Sequence, residues 1–270
     1  MTVVKGAGHA PPLEGIFLPV STPFNHYGDL YRAKLRYNVE KWNRTALAGY
    51  VVCGSTGESV SLSSNEKATL FEWMAECAGP GKTLVAAGGP DGVRETLRLM
   101  DKAAELGYGA ALIEAPPAPW SEAERELYCR AVADRSKLPV IVRGLVPESA
   151  ARLSAHPNVV ADALAATELD LWAGLSAGAS GGILALANAA PYAAITIWEA
   201  HRRRDQEAGL EWQQRIARAA EFVTSIYGVP GLKYAMDLNG YYGGPCRLPL
   251  APLAPHAKRE IEAAFASLRS

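Results

Sequence analysis

Short apolar runs alternate with longer amphipathic segments from Gly15 onward in this 270-residue chain. An apolar run without polar alternation is typical of a strand covered on both faces, as in a parallel sheet flanked by helices. Neighbouring parallel strands need a crossover of roughly a dozen residues or more, which the amphipathic segments supply. The pattern therefore predicts a single α/β domain built on a parallel sheet.

The apolar runs number seven, one fewer than a closed eight-stranded barrel needs. Either one strand is hidden between residues 159 and 175, or one βα unit has been shortened or lost. Three stretches read as capping boxes that start helices, at Ser63–Glu66, Ser121–Glu124 and Thr167–Asp170. The predicted strands are residues 16–20, 50–53, 83–87, 110–113, 140–142, a short run at 159–160, and 183–187, and the predicted late helices are 191–203, 206–227, 231–239 and 256–268.

Charge and cysteine usage exclude several classes of function. The net charge is −1 and no basic run occurs, so neither nucleic acid nor a membrane is an expected partner. The four cysteines are scattered, with no CxxC pair and no nearby histidine, which argues against a zinc site or a disulfide framework. No 18-residue apolar run and no signal-peptide pattern occurs. The expectation is a soluble, cytoplasmic protein with a loose tail at residues 1–14 and no cofactor.

The most informative stretch is the turn Gly54-Ser55-Thr56-Gly57, which follows a predicted buried strand directly. Glycine lets a backbone approach a ligand closely, and consecutive N–H groups with hydroxyls suit an anion. Barrel enzymes place their sites at the carboxyl ends of the strands, where this turn would lie. An ordinary turn is the competing interpretation from the residues alone. The functional interpretation makes Gly54, Ser55 and Thr56 ligands of a small carboxylate.

Residues 54–59 (GSTGES) resemble the G-[ST]-T-G-E motif of the dihydrodipicolinate synthase and N-acetylneuraminate lyase family. The likeness extends to residues 16–24 (IFLPVSTPF), 182–188 (GILALAN) and 232–236 (LKYAM), so it covers most of the chain between 15 and 265. The resemblance implies a (β/α)8 TIM barrel at residues 15–190, followed by the last barrel helix and a C-terminal helical region at 191–270. It also implies Ile183 as a substrate contact and a dimer or tetramer.

The resemblance fails at the residue on which the family's chemistry depends. Members of that family bind pyruvate or another 2-keto acid as an imine on a lysine of the sixth strand, but this chain has no lysine between Lys137 and Lys233. The matching position falls near Ala163, whose methyl group cannot form an imine. Lys82 and Lys233 are poor substitutes, since one precedes the third strand and the other lies on a helix outside the barrel.

A second departure accompanies the missing lysine, because Arg143 stands where the family has a proton-relaying tyrosine. An arginine is permanently charged and cannot act as a base near neutral pH. The tyrosines that follow the fourth strand in synthases are replaced by residues 115–119 (APPAP). Arg143, Glu114 and Asp162 are candidates for a remodelled catalytic group, although a structural ion pair between Glu114 and Arg143 is the simpler interpretation.

Three hypotheses stay open from the sequence. The chain is a degenerate family member, a pseudoenzyme that persists as a binding or assembly subunit, alone or with an active paralogue. Alternatively it is an active lyase or aldolase on a small keto acid, with its chemistry moved to Arg143, Glu114 and Asp162. In the third, it is a binding protein for a small carboxylate.

Overall fold

The computed structural model describes residues 13–89, 91–160, 163–164 and 167–268. Within these residues the chain alternates six strands with ten α-helices, as the predicted α/β class requires. The elements are β1 (Gly15–Pro19), α1 (Arg32–Trp42), β2 (Gly49–Val52), α2 (Ser64–Cys77), β3 (Thr83–Gly88), α3 (Val93–Glu105), β4 (Ala110–Glu114), α4 (Glu122–Ala133), β5 (Val140–Arg143), α5 (Pro147–Ser154), α6 (Leu171–Ser176), β6 (Gly181–Ile183), α7 (Pro191–Arg203), α8 (Gln206–Glu221), α9 (Gly228–Leu238) and α10 (Pro255–Ala266). No helix among the described residues is long and apolar enough to cross a membrane.

All six strands are parallel and lie in the order β5-β4-β3-β2-β1-β6. The segment after α5 lies between the two edges of this sheet. On one side Val159 forms a parallel bridge with Val140 of β5, and on the other Ser180, just before β6, donates its N–H to the Ala163 carbonyl at 2.8 Å. The six strands and this segment are the seven runs expected from the sequence, in a curled, TIM-barrel-like sheet. The loss or shortening of one βα unit stays a prediction.

Successive residues of each strand enter two different hydrophobic clusters. In β1, Phe17 points into an inner cluster, whereas Ile16 and Leu18 belong to the outer cluster against the helices. In β2, Val51 is inner and Tyr50 is outer. This period-two division explains why the strands are apolar throughout, since both faces of the sheet are covered. Ala163 packs against the inner cluster.

The chain departs from the sequence prediction around β6. The predicted strand at 183–187 is wrong beyond Ile183, because pairing with β1 ends at Phe17–Ile183 and residues Ala185–Asn188 form a 3-10 turn. The predicted capping box at 167–170 is also wrong, because α6 begins only after Asp170 and has no side-chain cap. The N–H of Leu186 in this turn is bonded to the Glu168 carboxylate at 3.1 Å, a contact that joins the two segments.

Other predicted boundaries hold or shift by a few residues. The capping boxes at Ser63 and Ser121 are confirmed, with both reciprocal hydrogen bonds present. The predicted helix 206–227 ends as an α-helix at Glu221 and continues as the π-helix Phe222–Ile226. Leu13, assigned to the tail, is buried in the inner cluster, whereas residues 1–12 of that tail lie outside the described residues.

The fully buried side chain of Asn188 links the carboxyl end of β1 to the turn after β6. Its Oδ1 accepts from the Ser21 N–H at 3.1 Å, and its Nδ2 donates to the carbonyls of Pro19 and Ala185 at 2.9 and 3.0 Å. Its own carbonyl accepts from the Trp42 indole at 3.2 Å. The amide therefore joins the carboxyl end of β1 to the turn that follows β6.

We expect Asn188→Ala to lower the free energy of unfolding by about 2–4 kcal/mol, because buried backbone groups at Pro19 and Ser21 lose their partner. Urea denaturation followed by circular dichroism measures the change. The control is Asn65→Ala on the exposed face of α2, expected to stay within about 0.5 kcal/mol of the parent. Equal stability of the two variants would contradict the role assigned to Asn188.

Candidate functional site

A cavity of about 170 Å³ opens at the carboxyl ends of the strands. It brings together six of the residues singled out from the sequence, since Gly54, Ser55, Thr56, Glu114, Arg143 and Ile183 all line it. The seventh, Asp162, lies outside the described residues. A larger cavity of about 330 Å³ lies between α9 and the segment that follows it, away from the strand ends. The remaining lining residues of the strand-end cavity are Pro19, Val51, Leu112, Glu168, Ala185 and Thr224.

The hydroxyl turn, residues 54–57, follows β2 as a short 3-10 turn. The non-glycine residues on either side of it, Cys53 and Glu58, have left-handed backbone conformations with φ of 64° and 57°. Such conformations cost of order 1–3 kcal/mol each and persist only when the surroundings fix them. The turn is therefore held in place by contacts outside itself.

The two glycines of the hydroxyl turn have different roles. A Cβ at Gly57 would lie 2.7 Å from the Val20 carbonyl oxygen, and the Thr22 hydroxyl donates to the Gly57 carbonyl at 2.7 Å, so β1 and the turn are in close contact. At Gly54, φ is −76° and a Cβ would meet its nearest neighbour at 3.8 Å. The close packing that excludes a side chain is therefore present only at Gly57, and the approach of the turn to a ligand stays a prediction.

Glu58 anchors the hydroxyl turn to the C-terminal helices. Its carboxylate is buried, and Oε1 lies 2.5 Å from the ammonium of Lys233, which is 1% exposed on α9. The other oxygen accepts from the Arg247 N–H at 2.8 Å. Lys233 also donates to the Pro245 carbonyl at 2.9 Å and lies over the Phe24 ring, 4.6 Å from its centroid. These contacts form what we call the Glu58 anchor.

Arg247 surrounds the same anchor with further bonds. Its guanidinium pairs with Glu66 on α2 and donates to the carbonyls of Gly28 and Ser61 at 2.8 and 2.7 Å. The hydrogen bonds from Arg247 lower the pKa of Glu66 to about 2. Arg247, in the segment that follows α9, thus bonds to residues before and after the hydroxyl turn.

Glu114 and Arg143 occupy paired positions at the ends of β4 and β5. The Arg143 guanidinium donates to the Leu164 carbonyl at 2.7 Å, so it reaches across to the segment between the sheet edges. The Glu114 side chain is exposed at the mouth. A direct ion pair between them stays a prediction.

Glu168 and Thr224 line the cavity and were missed in the sequence. Burial raises the pKa of the Glu168 carboxyl above its ordinary value, although backbone N–H groups at Glu168, Leu186 and Ala185 oppose this. The sequence offered no signal for this position, because 167–170 matches a capping box and the contact with Leu186 is not local. Thr224 lies on the π-helix, inside a stretch whose periodicity is that of any amphipathic helix.

No lysine lines this cavity within the described part of the chain. Lys82 lies just before β3, and its ammonium donates to the carbonyls of Thr45 and Leu47 at 2.7 Å, at the opposite end of the strands. The described residues also include no group of three histidine, cysteine or acidic side chains that could hold a metal ion.

The fold agrees with what comparison with known proteins finds. The model of the dihydrodipicolinate synthetase family matches residues 12–172 and 167–268. A 4-hydroxy-tetrahydrodipicolinate synthase of Methanothrix thermoacetophila is 30% identical over 280 aligned positions, which cover 92% of this chain and 94% of that one. The chain therefore belongs to the dihydrodipicolinate synthetase family.

Solved structures show the same fold at lower identity. Dihydrodipicolinate synthase from Bacillus clausii superposes with a TM-score of 0.87 at 20% identity, over 96% of this chain and 98% of that one. N-acetylneuraminate lyase from Mycoplasma synoviae gives a TM-score of 0.84 at 23% identity, over 94% and 97% of the two chains. The likeness to both confirms the expected TIM-barrel-like fold.

We expect Gly57→Ala to lower the free energy of unfolding by about 1–3 kcal/mol, because the new methyl group would overlap the Val20 carbonyl. Gly54→Ala is the matched control, since its methyl group makes ordinary contacts, and we expect a change below about 1 kcal/mol. Thermal denaturation of both variants measures the difference. Equal loss in the two would contradict the distinction drawn between the glycines.

For the Glu58 anchor, we expect Lys233→Met to cost about 3–5 kcal/mol, because it leaves a buried carboxylate without its counter-charge. Adding Glu58→Gln should recover a large part of this loss, since the amide still accepts from Arg247 but carries no charge. Urea denaturation of the two single variants and the double variant completes the cycle. Additive losses would show that the two charges do not depend on each other.

Proposed function

We propose that this family member binds a small carboxylate of the 2-keto acid class in the strand-end cavity and forms no imine with it. The observation that carries the proposal is the absence of lysine from residues 138–232, combined with a described cavity lining that contains no amine. An imine requires a primary amine within reach of the carbonyl carbon. We therefore infer that this chain does not catalyse the pyruvate-dependent aldol reaction of the family.

The position matched to the family's lysine supports this view. Ala163, near which that position falls by the resemblance, packs its methyl group against the inner cluster of the barrel. The remaining candidates are engaged elsewhere, since Lys233 is paired with Glu58 and Lys82 lies at the other end of the strands. No lysine of the described chain is placed to take over the imine.

The cavity keeps groups that suit an anion although it has lost the amine. Ser55 and Thr56 place hydroxyls at the mouth, and Arg143 adds a permanent positive charge. A volume of about 170 Å³ lies below the usual range of drug-sized sites, so the ligand has only a few heavy atoms. Gly54 and Ile183 complete the expected binding set.

Arg143 also replaces the tyrosine of the family at the end of β5, by the resemblance of that strand. A guanidinium binds and stabilises negative charge but does not relay protons. In the degenerate form of the proposal, the barrel serves as a binding or assembly subunit in the cytoplasm, as a dimer or tetramer or with an active paralogue. An active lyase with remodelled residues is the second candidate, and the buried acid Glu168 in the cavity favours it.

Trapping with borohydride tests the absence of imine chemistry. The protein is incubated with pyruvate and sodium borohydride, and its intact mass is measured. We expect an unchanged mass, with a lysine-bearing synthase of the family as the positive control. A pyruvyl adduct that maps to any lysine would overturn the proposal.

Calorimetric titration with pyruvate tests the binding site. We expect Thr56→Val to weaken binding about 3-fold to 10-fold, the loss of one hydrogen bond, and Arg143→Gln to weaken it about 10-fold to 100-fold. The matched control is Thr196→Val on α7. The Thr196 hydroxyl donates to the Tyr192 carbonyl away from the cavity, so the pyruvate affinity of this variant should equal that of the parent. Binding that is unaffected by both site variants would place the ligand elsewhere.

A further inference from the structure

Glu168 is a buried acid in a cavity that has lost the family's catalytic amine. Its residue is 6% exposed, yet it lines the same cavity as Ser55, Thr56 and Arg143. Burying a carboxyl group is costly unless its partners compensate. Nothing in the fold requires an acid here, because the Leu186 N–H that it binds would be satisfied equally well by an amide.

The side chain and the backbone of Glu168 are both fixed. Its Oε1 accepts from the Leu186 N–H at 3.1 Å. The Gln213 amide on α8 donates to the Glu168 carbonyl at 3.0 Å and accepts from the Trp172 N–H at 3.0 Å. Because hydrogen bonds fix both its side chain and its backbone, the Glu168 carboxyl group has a defined position. Proton transfer requires a suitable geometry first and a suitable pKa second.

The surroundings of Glu168 make it a better base than an ordinary glutamate. Desolvation raises the pKa of the Glu168 carboxyl above its ordinary value of 4.5. A general acid or base works best when its pKa lies near the operating pH. The charged residues that line the cavity with Glu168 are Arg143 and Glu114. Arg143 is the only cation among the described residues that line it.

We propose, on the basis of the binding function above, that Glu168 removes and returns a proton at the carbon next to the carbonyl of the bound 2-keto acid. The C–H bond breaks, the proton passes to the Glu168 carboxylate, and the electron pair of that bond moves to form an enolate whose charge lies on the carbonyl oxygen. Arg143 and the hydroxyl turn stabilise this oxyanion. Reversal returns the proton to carbon, so the step needs no oxidant, metal or imine.

Exchange of the methyl hydrogens of pyruvate in deuterium oxide, followed by proton NMR, tests the proposal. We expect the protein to accelerate exchange over buffer, with a rate that rises with pH through an inflection above 4.5, because the ionised carboxylate is the base and its pKa is raised. Glu168→Gln keeps an acceptor for Leu186 and should lose about 100-fold or more of the rate, with pyruvate affinity no weaker than that of the parent, because the change removes a negative charge from the site. Glu168→Asp, if the Gln variant does not fold, should retain the pH profile at a lower rate.

The matched control is Asp237→Asn on α9, an acid whose pKa is also raised and which accepts from the Gly243 N–H at 2.8 Å but lines the other cavity. Its exchange rate should equal that of the parent. Binding without accelerated exchange, or exchange that survives in Glu168→Gln, overturns the role of Glu168 and leaves the binding function standing. Absence of pyruvate binding overturns both, and exchange accompanied by a borohydride adduct assigns the step to an imine instead.

Discussion

The buried ion pair between Glu58 and Lys233 is the interaction on which the shape of the site depends. Glu58 has a left-handed backbone immediately after the hydroxyl turn, and its carboxylate leaves the barrel to meet a lysine of the C-terminal helices. A strained conformation persists only when its surroundings over-determine it. The helical region after the barrel is therefore part of the site's construction, although its anchoring residues do not line the cavity.

The strand-end cavity combines groups that come from distant parts of the chain. Parallel strands bring their carboxyl ends to one edge, so Ser55, Arg143 and Ile183 meet although they are far apart in sequence. Of these residues, the Ser55 hydroxyl and the Arg143 guanidinium are groups that suit an anion. Among the described residues that line this cavity, Glu168 is the only buried acid.

The first five strands were predictable from the sequence to within one residue, because each is an apolar run bounded by polar or glycine residues. The hydroxyl turn was predictable too, since its motif is local. The residues that fix the site were not. Glu168 and Lys233 act through partners far along the chain, at Leu186 and Glu58, and a local pattern cannot encode such a pairing. The apolar run after Ile183 likewise forms a 3-10 turn, whose Leu186 N–H is bonded to Glu168.

The division of each strand between two hydrophobic clusters separates stability from chemistry. Large buried side chains such as Trp42, Phe71 and Tyr50 pack on the outer side of the sheet, whereas the inner cluster has far fewer residues, most of them aliphatic. Residues at the mouth of the barrel can therefore change with little loss of packing energy, because the outer layer carries most of it. Such a barrel can exchange the groups at its mouth over evolutionary time while the pattern that directs its folding stays the same.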